Sequence, residues 1–140
     1  MRKKIWCVYM IVILIVIVGC KNEISYKFLH TTSEIDTIQI VKVGEVNERG
    51  ENDQEIITTI ENKDLFIEEF EQLGCYNLYT DPAGIEINTI AIKIIYNNLE
   101  YELIAASGQA RYTVDEQFKN YIGYCYFDKL QFENFLSKYM

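Results

Sequence analysis

An apolar segment near the amino terminus divides this chain into two parts. Basic residues Arg2, Lys3 and Lys4 precede an almost unbroken apolar run of 14 residues, Ile5–Val18. That order is typical of a secretory signal peptide. A helix needs about 20 apolar residues to cross the hydrocarbon core of a bilayer, so this run is short for a permanent anchor. We therefore predict that the folded part of the protein follows the run and lies outside the cytoplasm.

The apolar run ends in the tetrapeptide Ile17-Val18-Gly19-Cys20. It resembles the lipobox of bacterial lipoproteins, in which aliphatic and small residues precede an invariant cysteine. The resemblance implies transfer of diacylglycerol to the Cys20 sulfur, cleavage after Gly19 and retention at the extracytoplasmic face of the cell membrane. The competing interpretation is a plain signal anchor that happens to contain a cysteine.

Removing the predicted signal peptide, 1–19, leaves 121 residues, which is enough for one hydrophobic core and too few for two domains. We predict a lipidated tether over 20–34 and a single domain over 35–140. Three basic residues and no acidic ones leave with the leader, so the net charge changes from −8 to −11. Nucleic acid requires clustered basic residues, so we exclude it as a partner. The predicted membrane contact is the lipid on Cys20.

Two of the four cysteines are available for pairing in the mature protein. Cys7 is lost with the leader and Cys20 carries the lipid, which leaves Cys75 and Cys125. An even pair in an exported protein is a disulfide candidate. Closing a loop of about 50 residues stabilises a fold by about 4 kcal/mol in the chain-entropy model. Two buried thiols are the alternative.

The hydrophobic periodicity of the remaining chain predicts an α+β domain. Alternating apolar residues indicate strands, and Asn97-Asn98 indicates a two-residue hairpin turn. The predicted strands cover 35–43, 55–60, 90–96, 101–103, 111–114 and 121–127. The order ββαββ(β)βα implies an antiparallel sheet with two helices packed on one face, preceded by the signal-peptide helix.

Both predicted helices carry start signals. Asn62 is suited to cap a helix that runs to Leu73, with Gly74 as a left-handed terminating residue. Asp128 begins the last helix, and Gln131 follows three residues later in an arrangement like a capping box. Phenylalanines at helical spacing give each helix one apolar face.

The sequence contains few groups suited to catalysis. The single histidine, His30, lies in the predicted tether, far along the chain from any nucleophile. A Ser/His/Asp or Cys/His centre needs a base beside its nucleophile. Cys75, Cys125 and His30 also lack the close spacing of zinc ligands. We therefore expect no catalytic residue, no metal site and no cofactor, and we expect a solvated His30.

An acidic loop between the first two predicted strands, 44–54, is the one candidate for binding a hard cation. Its oxygen-bearing residues, with the first residue of the next strand, are Glu45, Asn47, Glu48, Glu51, Asn52, Asp53 and Glu55. Carboxylate and amide oxygens are ligands for Ca²⁺, but this spacing does not match the EF-hand pattern. A plain solvated hairpin is the alternative interpretation.

A tyrosine-rich region near the carboxyl terminus is the candidate recognition surface. It comprises Tyr112, Tyr121, Tyr124 and Tyr126. Exposed tyrosines are useful for gripping peptide or sugar. The alternative is that these rings pack within the sheet and leave only their hydroxyls at its rim.

The layout resembles small Gram-positive lipoproteins with an uncharacterised ββαβββα domain, in which a step such as Tyr126-Phe127-Asp128 leads into a final aromatic helix. No functional residue can be carried over from that resemblance. We expect a noncatalytic binding module for a protein, a peptide or an envelope component. The alternatives are an inhibitor or immunity-type lipoprotein that complements a basic enzyme or toxin, a carboxylate-dependent envelope hydrolase and a purely structural envelope component.

Overall fold

The computed structural model describes residues 23–48, 50–77, 85–112, 118–120 and 125–140. Within these ranges the chain has two α-helices and two antiparallel sheets, one of six strands and one of three. The α+β class and, in outline, the order ββαββ(β)βα are confirmed. The predicted signal-peptide helix lies outside the described residues.

The strands are short except for the first hairpin, and they are numbered in chain order. The strands are β1 Glu23–Ile24, β2 Ile35–Val46, β3 Asn52–Thr59, β4 Cys75–Asn77, β5 Ile90–Tyr96, β6 Tyr101–Ala105, β7 Gly108–Tyr112, β8 Phe118–Asn120 and β9 Cys125–Phe127. The helices are α1 Lys63–Glu71 and α2 Lys129–Ser137, and Thr32–Glu34 form a 3-10 turn. The large sheet has the order β3-β2-β5-β6-β7-β8, and the small sheet has the order β1-β4-β9.

Both helices begin at the predicted residues. The Asn62 side chain accepts a hydrogen bond from the Leu65 backbone N–H at 3.2 Å, and the Asp128 side chain accepts one from Gln131 N–H at 3.0 Å. These bonds satisfy donors that the first turn of a helix leaves unpaired. Helix α1 ends at Glu71, two residues before the predicted end.

Gly74 has a different role from the predicted one. Among the described glycines only Gly50 has a positive φ, so Gly74 does not end the helix in a left-handed conformation. A Cβ atom added at Gly74 would lie 1.4 Å from a carboxylate oxygen of Glu23. The Glu23 side chain therefore occupies the space beside Gly74, and a larger residue here would require that side chain to move.

One face of the large sheet packs on both helices, as predicted. Isoleucines of β2 and β5 and phenylalanines of the helices form a single buried cluster. Its central members are Ile38, Ile40, Ile92, Ile94, Phe66, Phe70, Phe132 and Phe135. Complete burial of a side chain of this kind stabilises the fold by about 1.5–3 kcal/mol. The small sheet contributes Cys75 and Phe127 to the same cluster.

The second face of the large sheet is also covered. Val41, Val43 and Leu103 are fully buried there, and Tyr112 is only 1% exposed. The Tyr101 ring stacks on Tyr112 with 4.5 Å between ring centroids. The prediction of Tyr112 as part of an exposed recognition surface is therefore wrong, because this ring fills the second core.

The β5–β6 hairpin is confirmed, but its turn is longer than predicted. Tyr96 N–H donates to Glu100 O at 2.9 Å, so the loop consists of Asn97, Asn98 and Leu99 rather than two asparagines. Leu99 N–H donates to Tyr96 O at 2.8 Å, and Leu99 has a φ of 68°. This is the three-residue hairpin loop in which a turn is followed by a left-handed residue. A branched side chain disfavours that conformation, which is why the sequence favoured the shorter turn.

Replacing Leu99 with glycine is expected to raise the free energy of unfolding by about 1 kcal/mol, because glycine adopts positive φ without steric cost. Leu99 is 67% exposed, so little packing is lost. Leu130 is also 67% exposed but lies in helix α2, so Leu130→Gly is a matched control that should destabilise by about 1 kcal/mol. Urea unfolding of the two variants measures both effects. A loss of stability in Leu99→Gly as large as that in Leu130→Gly would contradict the hairpin geometry.

Candidate functional site

A cavity of about 740 Å³ opens where one end of the large sheet meets β9 and the start of α2. We call it the groove. Its apolar floor and wall consist of Ile90, Ala105, Ala106, Tyr126, Phe127 and Phe132. Its polar rim consists of Glu86, Asn88, Thr89, Ser107, Lys129 and Glu133. Concave sites of this size, mainly apolar with a few polar groups, are typical of ligand-binding sites.

Backbone hydrogen bonds hold the groove walls in place. Phe127 N–H donates to Ala106 O at 2.9 Å, which joins β9 to the β6–β7 turn. Val43 N–H donates to Thr89 O at 2.9 Å, and Asn88 N–H donates to Val43 O at 2.7 Å. These bonds fix the loop before β5 against β2. The groove is therefore pre-formed, which reduces the ordering cost of binding.

The small sheet behind the groove is cross-linked. Cys75 of β4 and Cys125 of β9 form a disulfide, with their Cα atoms 5.9 Å apart. Gln109 Nε2 donates to the Cys125 carbonyl at 2.7 Å, which ties β9 to β7 as well. Of the two interpretations of this cysteine pair, the structure has the disulfide. It fixes the strand that carries Tyr126 into the groove wall.

The rim of the groove carries more negative than positive charge. Its charged lining residues are two glutamates, Glu86 and Glu133, and one lysine, Lys129. Lys129 Nζ lies 3.9 Å from Glu133 Oε1, with both side chains more than half exposed. Ion pairs of this exposed kind contribute little. A cationic ligand can therefore compete for the Glu133 carboxylate at small cost.

A second polar cluster surrounds Glu102, which is fully buried in β6. Its carboxylate accepts hydrogen bonds from Tyr26 Oη–H at 2.7 Å, from Leu29 N–H at 3.2 Å and from Tyr96 Oη–H. The pKa of Tyr96 is raised above its ordinary value. Burial of the hydroxyl is the largest cause, and the nearby Glu102 charge is the second. Tyr96 is therefore a protonated donor at neutral pH. A buried carboxylate needs such partners, because desolvation of an unpaired charge is very costly.

His30 lies beside this cluster. Its Nε2 is 2.6 Å from Glu100 Oε2, and its ring packs edge-on against Tyr96 with 4.8 Å between centroids. The side chains of His30 and Glu100 are 28% and 24% exposed. The prediction of a solvated His30 is therefore wrong. The histidine closes the edge of the Glu102 cluster.

Together these contacts fix residues 23–30, which we call the amino-terminal segment. Its first two residues form β1, with Glu23 opposite Tyr76 and Ile24 opposite Cys75. Tyr26 and Phe28 then pack against Phe70 of α1, at ring-centroid distances of 5.5 and 5.8 Å. The predicted tether, 20–34, is accordingly too long, since its described part belongs to the fold.

The other predicted site residues fall in several places. Tyr126 lies in the groove wall, whereas Gly19, Cys20, Tyr121 and Tyr124 lie outside the described residues. Strands β2 and β3 extend into the predicted acidic loop and shorten it to 47–51. Within the described part of the chain, no group of three acidic, histidine or cysteine side chains is placed to hold a metal ion.

Sequence reasoning missed Glu102. It alternates with Tyr101 and Leu103, so it shares a strand face with Ile104, which is also completely buried. An acidic residue on the inward face of a predicted strand is the sequence signal that could have revealed this buried site. The signal was weak because two of its three partners, Tyr26 and Leu29, lie more than 70 residues away along the chain.

The molecule is thus an α+β protein in which two helices and a small sheet cover one face of a larger sheet, with an apolar groove at their junction. Comparisons with protein-family models, curated proteins and solved structures find no match to this chain. In the part of the chain that is described, no helix has the length and apolar character required to span a membrane.

Proposed function

We propose that this protein is a membrane-anchored extracytoplasmic lipoprotein that binds a peptide or a segment of a protein in the groove, without catalysing a reaction. The observation that carries the proposal is the pre-formed apolar cavity with a polar rim. Its floor is suited to one or two apolar side chains of a bound peptide, and its rim is suited to the polar groups beside them in that peptide. The anchor is inferred from the lipobox-like tetrapeptide that ends at Cys20.

The groove residues favour binding over catalysis. Ser107 is the hydroxyl residue at the β6–β7 turn, but the one histidine of the chain lies against Glu100 and Tyr96 and does not line the groove. Glu86 and Glu133 come from separate exposed elements of the rim. Acid/base chemistry would need a general acid or base held within hydrogen-bond reach of a substrate. The groove residues are instead suited to binding a ligand through apolar contacts and charge.

Site-directed photo-crosslinking in the native membrane tests the proposed function. p-Benzoylphenylalanine at Tyr126, inside the groove, is expected to yield a discrete adduct. The same group at Leu130, which is exposed on α2 and does not line the groove, is the matched control. Adding Ala106→Trp, which fills the floor, should remove the adduct. Identical adducts from both positions, or an adduct that survives the filled groove, would refute binding at this site.

A further inference from the structure

We infer that the groove receives a cationic amphipathic peptide segment at the membrane surface. The inference rests on the binding function proposed above and specifies the chemistry of the partner. Two observations carry it, the apolar floor and the acidic rim, and the predicted lipid anchor specifies the location.

The apolar floor selects for hydrophobic side chains. Ala105, Phe127 and Phe132 are at most 4% exposed, whereas Ile90, Ala106 and Tyr126 are partly exposed and present the apolar surface of the groove. Small residues beside aromatic ones make a recess that a leucine or phenylalanine side chain can fill. A ligand without an apolar face would leave the partly exposed Ile90, Ala106 and Tyr126 in contact with water, which is unfavourable.

The acidic rim selects for positive charge beside that apolar face. Glu86 belongs to the loop before β5 and Glu133 to α2, so carboxylates from two separate elements border the opening. The whole chain has a net charge of −8, which also attracts cations over a longer range. Complementary charge across an interface increases the association rate and excludes partners of the wrong sign.

The topology places the groove close to Glu23, three residues after the predicted anchor. Glu23 pairs with Tyr76, and Tyr76 pairs with Tyr126 in the groove wall. Adjacent strands are about 4.8 Å apart, so Glu23 lies about 10 Å from Tyr126. Cys20 precedes Glu23 by three residues, a reach of about 10 Å at most. A lipid on Cys20 would therefore hold the groove within about 20 Å of the bilayer surface.

The Glu102 cluster keeps that distance short. Hydrogen bonds from Tyr26 and Leu29 to Glu102, with the His30 contact to Glu100, hold the amino-terminal segment on the domain. Cationic amphipathic segments accumulate at the surface of anionic membranes. The acidic domain attracts cationic segments. Because the predicted anchor holds the groove near the membrane, the groove is close to the surface where these segments are concentrated.

Peptide binding to the full protein in phosphatidylcholine vesicles tests the inference. The probes are three fluorescein-labelled helical peptides with the same leucine positions and with lysine, glutamine or glutamate at the polar positions. Fluorescence anisotropy measures affinity after subtraction of binding to empty vesicles. The lysine peptide is expected to bind most tightly, and added salt is expected to weaken it.

Charge reversal then locates the binding. The double variant Glu86→Lys and Glu133→Lys is expected to weaken the lysine peptide by about tenfold or more. The matched double variant Glu55→Lys and Glu68→Lys changes the net charge equally at exposed positions outside the groove and should have a much smaller effect. Equal weakening by both double variants, a glutamine or glutamate peptide that binds as tightly as the lysine peptide, or no detectable binding of the lysine peptide would overturn the inference.

Filling the groove separates failure of this inference from failure of the proposed function. If the three peptides bind the parent protein with equal affinity and Ala106→Trp abolishes their binding, the groove binds peptide and only the charge preference is wrong. If the three peptides bind and neither Ala106→Trp nor Ser107→Trp alters any affinity, the groove is not the binding site and both proposals fail. Circular dichroism shows whether each tryptophan variant is folded, and the second variant replaces the first if the first is not.

Discussion

Replacing Glu102 with alanine is expected to lower the free energy of unfolding by about 3–5 kcal/mol. The carboxylate is fully buried and accepts hydrogen bonds from Tyr26, Leu29 and Tyr96. Alanine would leave these buried donors without their acceptor and would create a cavity. Each buried donor left unsatisfied costs about 1–3 kcal/mol.

Two further variants show whether this loss comes from the buried hydrogen bonds. Glu102→Gln keeps the shape and one acceptor oxygen, so a smaller loss of about 1–2 kcal/mol is expected. Glu55→Ala removes an exposed carboxylate of β3 and should change stability by about 0.5 kcal/mol or less. Urea unfolding of the three variants gives these values.

Hydrogen exchange of the same variants reports on the amino-terminal segment. In Glu102→Ala, hydrogen exchange at the Leu29 amide should become faster than global unfolding, because this amide loses its acceptor. An alanine variant that unfolds within about 1 kcal/mol of the parent protein, with Leu29 still protected, would show that Glu102 does not hold the segment.

Replacing Cys20 with alanine is expected to abolish palmitate labelling and to move the protein from the detergent phase to the aqueous phase. The thioether to diacylglycerol requires the sulfur of this residue. Each buried methylene of an acyl chain contributes about 0.8 kcal/mol, so two chains hold a protein on a bilayer firmly and their loss releases it. The effect on membrane partition should therefore be close to complete.

Cys7→Ala is the matched control for this prediction. Cys7 lies in the apolar run of the leader, which is predicted to be removed, so the variant should label and partition as the parent protein does. A Cys20→Ala protein that still labels with palmitate and still enters the detergent phase would contradict the lipid anchor.

Local sequence signals predicted the parts of the fold that depend on neighbouring residues. Asn62 and Asp128 mark both helix starts because a capping side chain acts within three residues. The β5–β6 hairpin was predictable because alternation continues on both sides of a short turn. Its loop length was not, because it depends on Leu99 adopting a conformation that leucine ordinarily avoids.

The small sheet could not be predicted in the same way. Strands β1 and β4 have two and three residues, which is too short for a periodic pattern, whereas β9 forms the end of the predicted strand 121–127. Ile24 and Cys75 are paired although 51 positions separate them, and only the tertiary fold decides such a pairing. The amino-terminal segment therefore resembled a tether in the sequence and is part of the domain in the structure.

The groove was only partly predictable. Tyr126 was expected in a recognition surface and lies in the groove wall, but the aromatic pattern cannot separate it from Tyr112, which is buried in the second core. The floor and rim combine the loop before β5, the β6–β7 turn, β9 and α2. A cavity that combines parts of the chain from residue 86 to residue 133 leaves no local signature.

The intact mass of the protein purified from its native membrane tests the anchored binding module most directly. We predict a chain that begins at Cys20, lacks the preceding 19 residues and carries the additional mass of diacylglycerol on the Cys20 sulfur. A mass that includes Met1, or an unmodified sulfur at Cys20, would contradict the anchor and the membrane-surface site that we infer from it.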